Sequence, residues 1–387
     1  MLKYYLFCFV PVFLPSLVST PLKNFFILPV LFFSICYVVC NKKIDFFSFC
    51  LFVCFFVLLV FLPSLSSIFV GIEPSQSNIN EILKLLTYLF YGLSIFLIKQ
   101  KISLDQLSKL LITFVLLNSL LVLVIFIDDS FAKVVFFLYH VESDAEEFMQ
   151  YLFARPSGAF GNPNALGIAL CLCALFFLVL NKKIFTVITL TMMLLTQSRT
   201  AFFCFIICFF IHLIVRKHLL SILCILIFSL YLIVYLAANE NIFFSALYTR
   251  FSDINLAGRD SLWINLFESD FIAKSYFGLF IIPEGISFID NEYLNLYVRY
   301  GVVSFLFFFV LLIFLFIKYM PNSTSDYSSD TNVISVRNRV CFIVLYSLIV
   351  IVLSSFTASI TTMLKLFLFY LFFYFSLTKV CYDKDEI

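Results

Sequence analysis

Charged residues are scarce in this chain. Only 12% of its 387 residues are Asp, Glu, Lys or Arg, whereas 63% are hydrophobic, 55 are Phe and the mean hydropathy is +1.09. No soluble core needs that much apolar surface, but helices that face lipid do. The formal net charge is only +2 and no basic patch with interleaved aromatics occurs, which excludes nucleic-acid binding. The composition therefore predicts an all-α, polytopic membrane helix bundle.

Cysteines in long polar loops and the common cofactor motifs are also missing. The twelve Cys fall inside apolar runs or in the tail, so we expect buried thiols and neither a disulfide framework nor a Cys-based metal site. The sequence contains no P-loop, no Rossmann glycines and no His-Glu-x-x-His. The acidic group at 142–147 is poorly spaced for metal ligands and is interpreted as a solvated loop. We therefore expect no metal and no cofactor.

Long apolar runs are what the chain does have. A span needs roughly 20 apolar residues, and fewer where the bilayer is locally thinned. On this basis we predict about twelve transmembrane helices, near 4–20, 24–40, 46–70, 82–98, 109–127, 163–180, 184–196, 200–215, 219–237, 291–317, 340–357 and 362–378. Residues 1–20 have features of a cleaved signal peptide, but we interpret them as the first span because further spans follow.

The basic residues of the short loops predict the orientation. Lys and Arg of these loops fall on one side, which the positive-inside rule makes cytoplasmic, together with both termini. The chain is then a single integral membrane domain over 1–387. Its long loops are 128–162 and 238–290 on the outer side and 318–339 on the cytoplasmic side.

Arginine is concentrated on the predicted outer side. The positive-inside rule disfavours cations there, and a planar guanidinium suits phosphate and carboxylate better than Lys does. The alternative is that these side chains snorkel to the outer headgroups. The residues concerned are Arg155, Arg199, Arg250, Arg259 and Arg299.

A membrane helix is predicted to begin inside the stretch 155–167, which reads Arg-Pro-Ser-Gly-Ala-Phe-Gly-Asn-Pro-Asn-Ala-Leu-Gly. Asn162 has the properties of an N-cap, and the Pro that follows suits the first helical position. The free N–H groups and positive dipole end then face a loop in which Gly158 and Gly161 allow close backbone approach. The leading Arg adds a charge, so this segment favours an anion site that includes Asn162 and Asn164. A well-capped membrane helix that merely follows a turn is the alternative.

The two helices that follow are short. Residues 184–196 give about 20 Å of helix at roughly 1.5 Å per residue, against a hydrocarbon core of about 30 Å. The turn Gln197-Ser198-Arg199 should therefore stop short of the outer surface. A charge at that depth normally faces a polar cavity or a partner inside the bundle. Arg199 is the best single candidate for a cavity-lining cation, with a simple interfacial Arg as the alternative.

The loop 238–290 leads into a helix with a polar start. Asp290 or Asn291 can cap it, and Glu292 is favourable at its positive end. Glu292, Asn295 and Arg299 lie at i, i+3 and i+7 and so share one helix face. Such a stripe, entering the membrane from outside, predicts a cavity wall. For Asp290, capping and a chemical role both stay open.

Three pieces of sequence together resemble the O-antigen ligase and polymerase family of bacterial inner-membrane proteins. They are the stretch 155–167, the Gln-Ser-Arg-Thr at 197–200, and the Gly-Arg-Asp at 258–260 followed by Asp-Asn-Glu-Tyr-Leu at 290–294 and Gly301. The resemblance covers most of 150–305. It implies a GT-C-like bundle with a large, partly helical periplasmic loop. It also implies a metal-independent glycosyltransferase whose active site faces the periplasm.

The resemblance further implies a substrate and the roles of several residues. The donor and acceptor would be undecaprenyl-pyrophosphate-linked oligosaccharides, in membrane lipid, with a chain-length regulator and a flippase as further partners. Arginines matching Arg199 and Arg259 would hold the pyrophosphate. Ligases of this family commonly have His at the position of Asp290, so Asp favours a polymerase that joins repeat units. The substrate-binding residues would be Arg155, Asn162, Asn164, Arg250, Glu292 and Arg299.

The chemistry of these residues fits that reaction. Transfer from a polyprenyl pyrophosphate builds negative charge on the leaving group, which Arg and a helix N-terminus can stabilise without a metal. The acceptor hydroxyl needs a base within hydrogen-bond reach, and Asp290 lies at the same outer rim. We expect Arg199, Arg259 and Asp290 to carry the reaction.

Two other functions stay open. A ligase that moves finished polymer onto the lipid A core has the same chemistry and topology. A lipid-linked oligosaccharide flippase would need charges along a central path to the cytoplasm, whereas here they cluster on one face.

Overall fold

The chain forms twelve α-helices in the part that the computed structural model describes. Those residues are 1–15, 27–41, 61–69, 71, 76–98, 101–127, 129–139, 156–215, 264, 274, 276–279, 291–319, 336–356 and 363–380. The helices are α1 (Leu2–Phe13), α2 (Ile27–Asn41), α3 (Leu62–Phe69), α4 (Gln76–Phe96), α5 (Leu104–Ile127), α6 (Asp129–Tyr139), α7 (Pro163–Val179), α8 (Lys183–Leu195), α9 (Arg199–Val215), α10 (Glu292–Lys318), α11 (Val336–Ser354) and α12 (Leu364–Thr378). No strand is found in these ranges, so the predicted all-α fold is confirmed for them.

Three helices are long and apolar enough to cross a membrane among the residues described. They are Leu104–Val124, Glu292–Lys318 and Arg337–Ser354. Shorter apolar helices of 10–17 residues are also present, among them α1, α7, α8, α9 and α12. The chain is thus a helical protein with membrane-spanning character, whereas twelve spans and a GT-C-like arrangement stay predictions. The predicted span 219–237 lies outside the described residues.

The helix α7 is the centre of the bundle. It contacts α5, α8, α9, α11 and α12, and only Asn164 and Leu178 among its residues are not buried. A helix that is apolar all round is expected in a protein interior or a membrane. The stretch singled out in the sequence therefore begins the most enclosed helix among those described.

Contacts between the ends of different helices agree with the predicted assignment of those ends to the two membrane faces. The end of α1 and residues 158–160 meet α12 near its start, and all three were assigned to the outer side. At the other side, Ile102 pairs with Val380, and Lys182 lies 3.4 Å from Asp105. The sidedness itself stays a prediction.

The structure contains a helix where the sequence predicted only an outer loop. Helix α6 lies within 128–162, and its residues Ala132, Val135, Phe136 and Tyr139 are buried. Their spacing of i, i+3, i+4 and i+7 gives one apolar face. At 11 residues the helix is too short to register as a span, which is why the pattern was missed. One other bound differs, since α4 begins at Gln76 and not near residue 82. Helix α3 lies at the end of the predicted span 46–70, and residues 46–60 of that span lie outside the described part of the chain.

Candidate functional site

The start of α7 has the cap that the sequence predicts. The Oδ1 atom of Asn162 accepts hydrogen bonds from the backbone N–H of Asn164 at 2.8 Å and of Ala165 at 3.2 Å. Pro163 occupies the first helical position. The capping role of Asn162 is confirmed, and the positive end of the central helix is placed at this residue.

The loop before this cap is buried and tightly folded. Residues 158–160 form one turn of 3₁₀ helix, and Gly158 (φ +51°) and Gly161 (φ +69°) both have left-handed backbone. A Cβ on Gly158 would lie 3.1 Å from the Oδ1 atom of Asn118, so the position requires glycine for space as well as conformation. Phe160 packs against Phe114 and Phe369 at centroid distances of 6.1 and 6.3 Å.

The peptide groups of Ala159 are held from two sides. Its N–H donates to Oδ1 of Asn118 at 3.3 Å, and its C=O accepts from Nζ of Lys365 at 2.8 Å. Asn118 belongs to α5 and Lys365 to α12. Two helices far apart in sequence therefore fix the loop that leads to the cap.

Lys365 is a buried cation that the sequence interpretation missed. Its side chain also donates to the C=O of Leu14 at 2.9 Å and lies 4.7 Å from the ring centre of Tyr139. The residue is only 4% exposed. A signal was present, because Lys365 is the only charged residue in the predicted span 362–378 and an intramembrane charge is a functional candidate by default.

The turn that carries Arg199 is enclosed by protein. Helix α8 has 13 residues, as predicted, and Thr196, Gln197 and Ser198 are buried. A Cβ on Gly167 would lie 2.6 Å from Cβ of Ser198, so the turn packs directly on the backbone of α7. Arg199 follows as the first residue of α9 and is half-buried.

This packing sets the depth of Arg199 relative to the cap. Gly167 lies five residues after Asn162, which corresponds to about 7.5 Å along a helix axis. The turn therefore packs on α7 a little more than one helical turn from the capped start, whereas its depth in a membrane stays a prediction. We call Asn162, Asn164, the loop 158–161 and the turn 196–199 the cap site.

A second polar group lies at the start of α10. Asn291 is the N-cap, since its Oδ1 accepts from the N–H of Leu294 at 3.2 Å. Its Nδ2 donates to the C=O of Phe356 at 3.3 Å, and the N–H of Glu292 donates to the C=O of Ser355 at 2.9 Å. Capping is thus done by Asn291, which leaves the chemical role for Asp290 as the remaining sequence interpretation.

The polar stripe on α10 faces the protein. Glu292 and Asn295 are each 1% exposed, and Nε of the half-buried Arg299 donates to Oδ1 of Asn295 at 2.9 Å. The predicted shared face of these three residues agrees with this contact. Burial at the helix start means that the stripe packs against other parts of the chain instead of lipid.

Helix α10 is interrupted after this stripe. Gly301 has φ +79° and ψ 176°, and residues 276–279 lie against the break. The N–H of Leu279 donates to the C=O of Val298 at 2.7 Å, and the N–H of Val302 donates to the C=O of Tyr276 at 2.9 Å. Backbone groups freed by a helix break need partners elsewhere in the protein, and these two hydrogen bonds supply them.

Several predicted residues fall outside the described part of the chain. They are Arg155, Arg250, Arg259 and Asp290. The structure therefore brings Asn162, Asn164 and Arg199 to one end of α7 and joins Asn295 to Arg299. A meeting of Arg199 with Arg259 stays a prediction.

The sequence also predicted no metal site and no disulfide framework. Within the described ranges, no group of three or more His, Cys, Asp or Glu side chains is arranged to hold a metal. The cysteines described there are free thiols, and Cys171, Cys173, Cys204 and Cys208 are buried in α7 and α9. These thiols act as small apolar side chains in the bundle centre.

Comparison of the chain with protein-family models, curated proteins and solved structures found no match in any of the three.

Proposed function

We propose that the chain is a polymerase of bacterial surface polysaccharide, which joins undecaprenyl-pyrophosphate-linked oligosaccharide units at the periplasmic face of the inner membrane. The observation that supports this most is the cap site. There the positive end of the enclosed helix α7 and the half-buried Arg199 lie within about two helical turns of each other. A diphosphate carries the charge that both groups favour.

The reaction would use these charges on the leaving group. An acceptor hydroxyl attacks the anomeric carbon of the donor, the bond from that carbon to the phosphate oxygen breaks, and undecaprenyl pyrophosphate leaves. Negative charge develops on the pyrophosphate as the bond breaks, and fixed donors in a site shielded from water stabilise it without rearranging. In this proposal Arg199 and Arg259 bind the pyrophosphate, and Arg155 assists them.

The acceptor requires a separate group to take its proton. We assign that role to Asp290, which comes directly before the capping residue Asn291. The Glu292–Asn295–Arg299 stripe follows on the same helix and offers carboxylate, amide and guanidinium groups of the kind that bind sugar hydroxyls. The proton of the acceptor hydroxyl passes to the Asp290 carboxylate as the new glycosidic bond forms.

The form of α7 favours a transferase over a flippase. Between the cap and Val179 the helix has no charged residue and is almost wholly buried. A flippase of alternating access would need polar groups along a central path, which this helix does not supply. Polar groups at one end alone suit a reaction at one membrane face.

Deletion and complementation in the bacterium that carries the gene test the proposal. Loss of a polymerase leaves one repeat unit on the lipid A core, whereas loss of a ligase leaves bare core, and a lipopolysaccharide ladder gel distinguishes them. We expect a single-repeat band, restored to a ladder by wild type but not by Arg199→Ala. A normal ladder from Arg199→Ala, with the same amount of protein in the membrane, would show that Arg199 does not bind the pyrophosphate as proposed.

A further inference from the structure

The Ala159 peptide is the point at which the bundle holds the cap loop. Asn118 accepts its N–H and Lys365 donates to its C=O, and neither side chain is exposed. Only two residues separate Ala159 from the N-cap Asn162, so a shift of the Ala159 peptide moves the Asn162 side chain with it. The loop has little freedom to absorb such a shift, because it is one buried 3₁₀ turn between two left-handed glycines.

The contacts of Lys365 suit a residue that holds other parts of the protein in place better than one that binds a ligand. Two of the three N–H donors of its ammonium go to the carbonyls of Leu14 and Ala159, and the ammonium also lies against the ring of Tyr139. The Lys365 side chain is thus held by groups of the protein itself. The residue is 4% exposed, so it does not meet substrate in the way that a half-buried Arg can.

A buried charge is a poor device for stability alone. Desolvating an ammonium is costly, and an apolar side chain of similar volume often leaves a protein equally or more stable. A lysine at this place therefore calls for a reason other than stability. The geometry supplies one, because the amine joins the end of α1, the 3₁₀ turn and the start of α12 at a single point.

We propose that Lys365 is a positioning residue, which together with Asn118 fixes the Ala159 peptide and so aims the capped start of α7 at the pyrophosphate of the substrate. The inference rests on the proposed function. Lys365 acts through the loop and does not touch the substrate.

Binding of undecaprenyl pyrophosphate to the full-length protein in lipid nanodiscs tests this, with inorganic pyrophosphate as the probe for the headgroup alone. Calorimetry gives the Kd, and the thermal unfolding midpoint is measured on each variant. We expect Lys365→Met and Asn118→Leu each to weaken binding about tenfold, which corresponds to about 1.4 kcal/mol. Because both act on one peptide, the double variant should lose less than the product of the single losses. Lys365→Arg keeps the charge and should recover part of the affinity.

Two control variants separate positioning from general destabilisation. Lys109→Met removes a lysine whose side chain is 68% exposed on α5. Ser94→Ala removes a buried hydroxyl that donates to the carbonyls of Ser34 and Phe90, away from the cap loop. We expect the Kd of both to equal that of wild type, even where Ser94→Ala lowers the unfolding midpoint.

The outcomes distinguish the two proposals. If wild type binds and Lys365→Met binds equally well, or if affinity falls only in step with the unfolding midpoint as in Ser94→Ala, the positioning role is wrong and the proposed function stands. If wild type binds neither probe, the function proposed above fails and the positioning role with it. Should Lys365→Met not fold, Asn118→Leu and Lys365→Arg decide the question.

Discussion

Gly278 and Gly301 meet backbone to backbone. A Cβ on Gly278 would lie 2.6 Å from the carbonyl oxygen of Arg299, and a Cβ on Gly301 would lie 2.5 Å from the carbonyl carbon of Phe277. This contact joins residues 276–279, which belong to the predicted outer loop 238–290, to the helix that carries the polar stripe. The hydroxyl of Ser67 in α3 also donates to the C=O of Leu279, so a third element holds the same junction.

We expect Gly301→Ala to open this junction. The change adds a Cβ at φ +79° and ψ 176°, a backbone region essentially limited to glycine, which costs about 1–3 kcal/mol in backbone strain, and the Cβ also collides with residues 276–278. The thermal unfolding midpoint of the purified protein should fall, and complementation on the ladder gel should fail. Gly71→Ala is the matched control, because Gly71 has the same φ of +79° with no atom within 4 Å of an added Cβ. Equal losses in the two variants would show that strain, and not the contact, matters at Gly301.

Gly167→Ala should move the Arg199 turn. An added Cβ would lie 2.6 Å from Cβ of Ser198 and 3.0 Å from Oγ1 of Thr196, so the turn must shift away from α7. We expect polymerisation to fall about tenfold, since small misplacements of positioning groups have effects of this order or larger. Gly92→Ala is the control, because its Cβ would only reach ordinary contact with Phe375 at 3.5 Å. Polymer of normal length from Gly167→Ala would argue against a role for the turn.

Substitution of Asn162 separates capping from anion binding. Asn162→Asp keeps a good N-cap, and its charge is favourable at a helix start, so the unfolding midpoint should be unchanged or higher. The same charge repels pyrophosphate, so binding and polymerisation should be lost. Asn162→Ser keeps the cap without the charge and should remain active. If Asn162→Asp retained both stability and activity, the helix start would be a cap and nothing more.

Asn295→Ala should free the Arg299 side chain. It removes the acceptor that holds Nε at 2.9 Å and leaves the half-buried guanidinium without that partner, at a cost of about 1–3 kcal/mol. We expect a lower unfolding midpoint and a ladder gel with shorter polymer, because the acceptor side of the site loses its order. Asn295→Asp restores an acceptor and should recover much of the stability. If Asn295→Asp recovered stability but not polymer length, polymerisation would require the neutral amide of Asn295.

Local features of the site were accessible from the sequence. Asn162 before a Pro predicts a cap, and the 13-residue run before the Gln-Ser-Arg turn predicts its depth, since both depend on neighbouring residues. The i, i+3, i+7 spacing of the α10 stripe is of the same kind. The cap, the 13-residue length of α8 and the Asn295–Arg299 contact agree with the described residues, whereas the depth of the turn in a membrane stays a prediction.

Contacts between distant segments were not accessible in this way. Asn118 and Ala159 are 41 residues apart, and Lys365 and Ala159 are 206 apart. Helical periodicity says which face of α5 or α12 is polar, but not which loop will meet it. Lys365 was visible as a lone charge in an apolar run, yet its partners are main-chain carbonyls, which leave no trace in side-chain patterns. The pairing of Gly278 with Gly301 has the same character, because two glycines far apart give no pattern to read.

The enclosure of α7 has a consequence for how the protein would respond to its surroundings. If the bundle spans a membrane as predicted, a helix that its neighbours enclose should respond little to a change in bilayer thickness, because the surrounding helices are the ones that meet lipid. Lipid composition should then act on the peripheral helices first and leave the depth of the Asn162 end unchanged. Growth temperature or a shift in acyl-chain length would then alter how the proposed substrate reaches the cap site, while the cap site itself keeps its geometry.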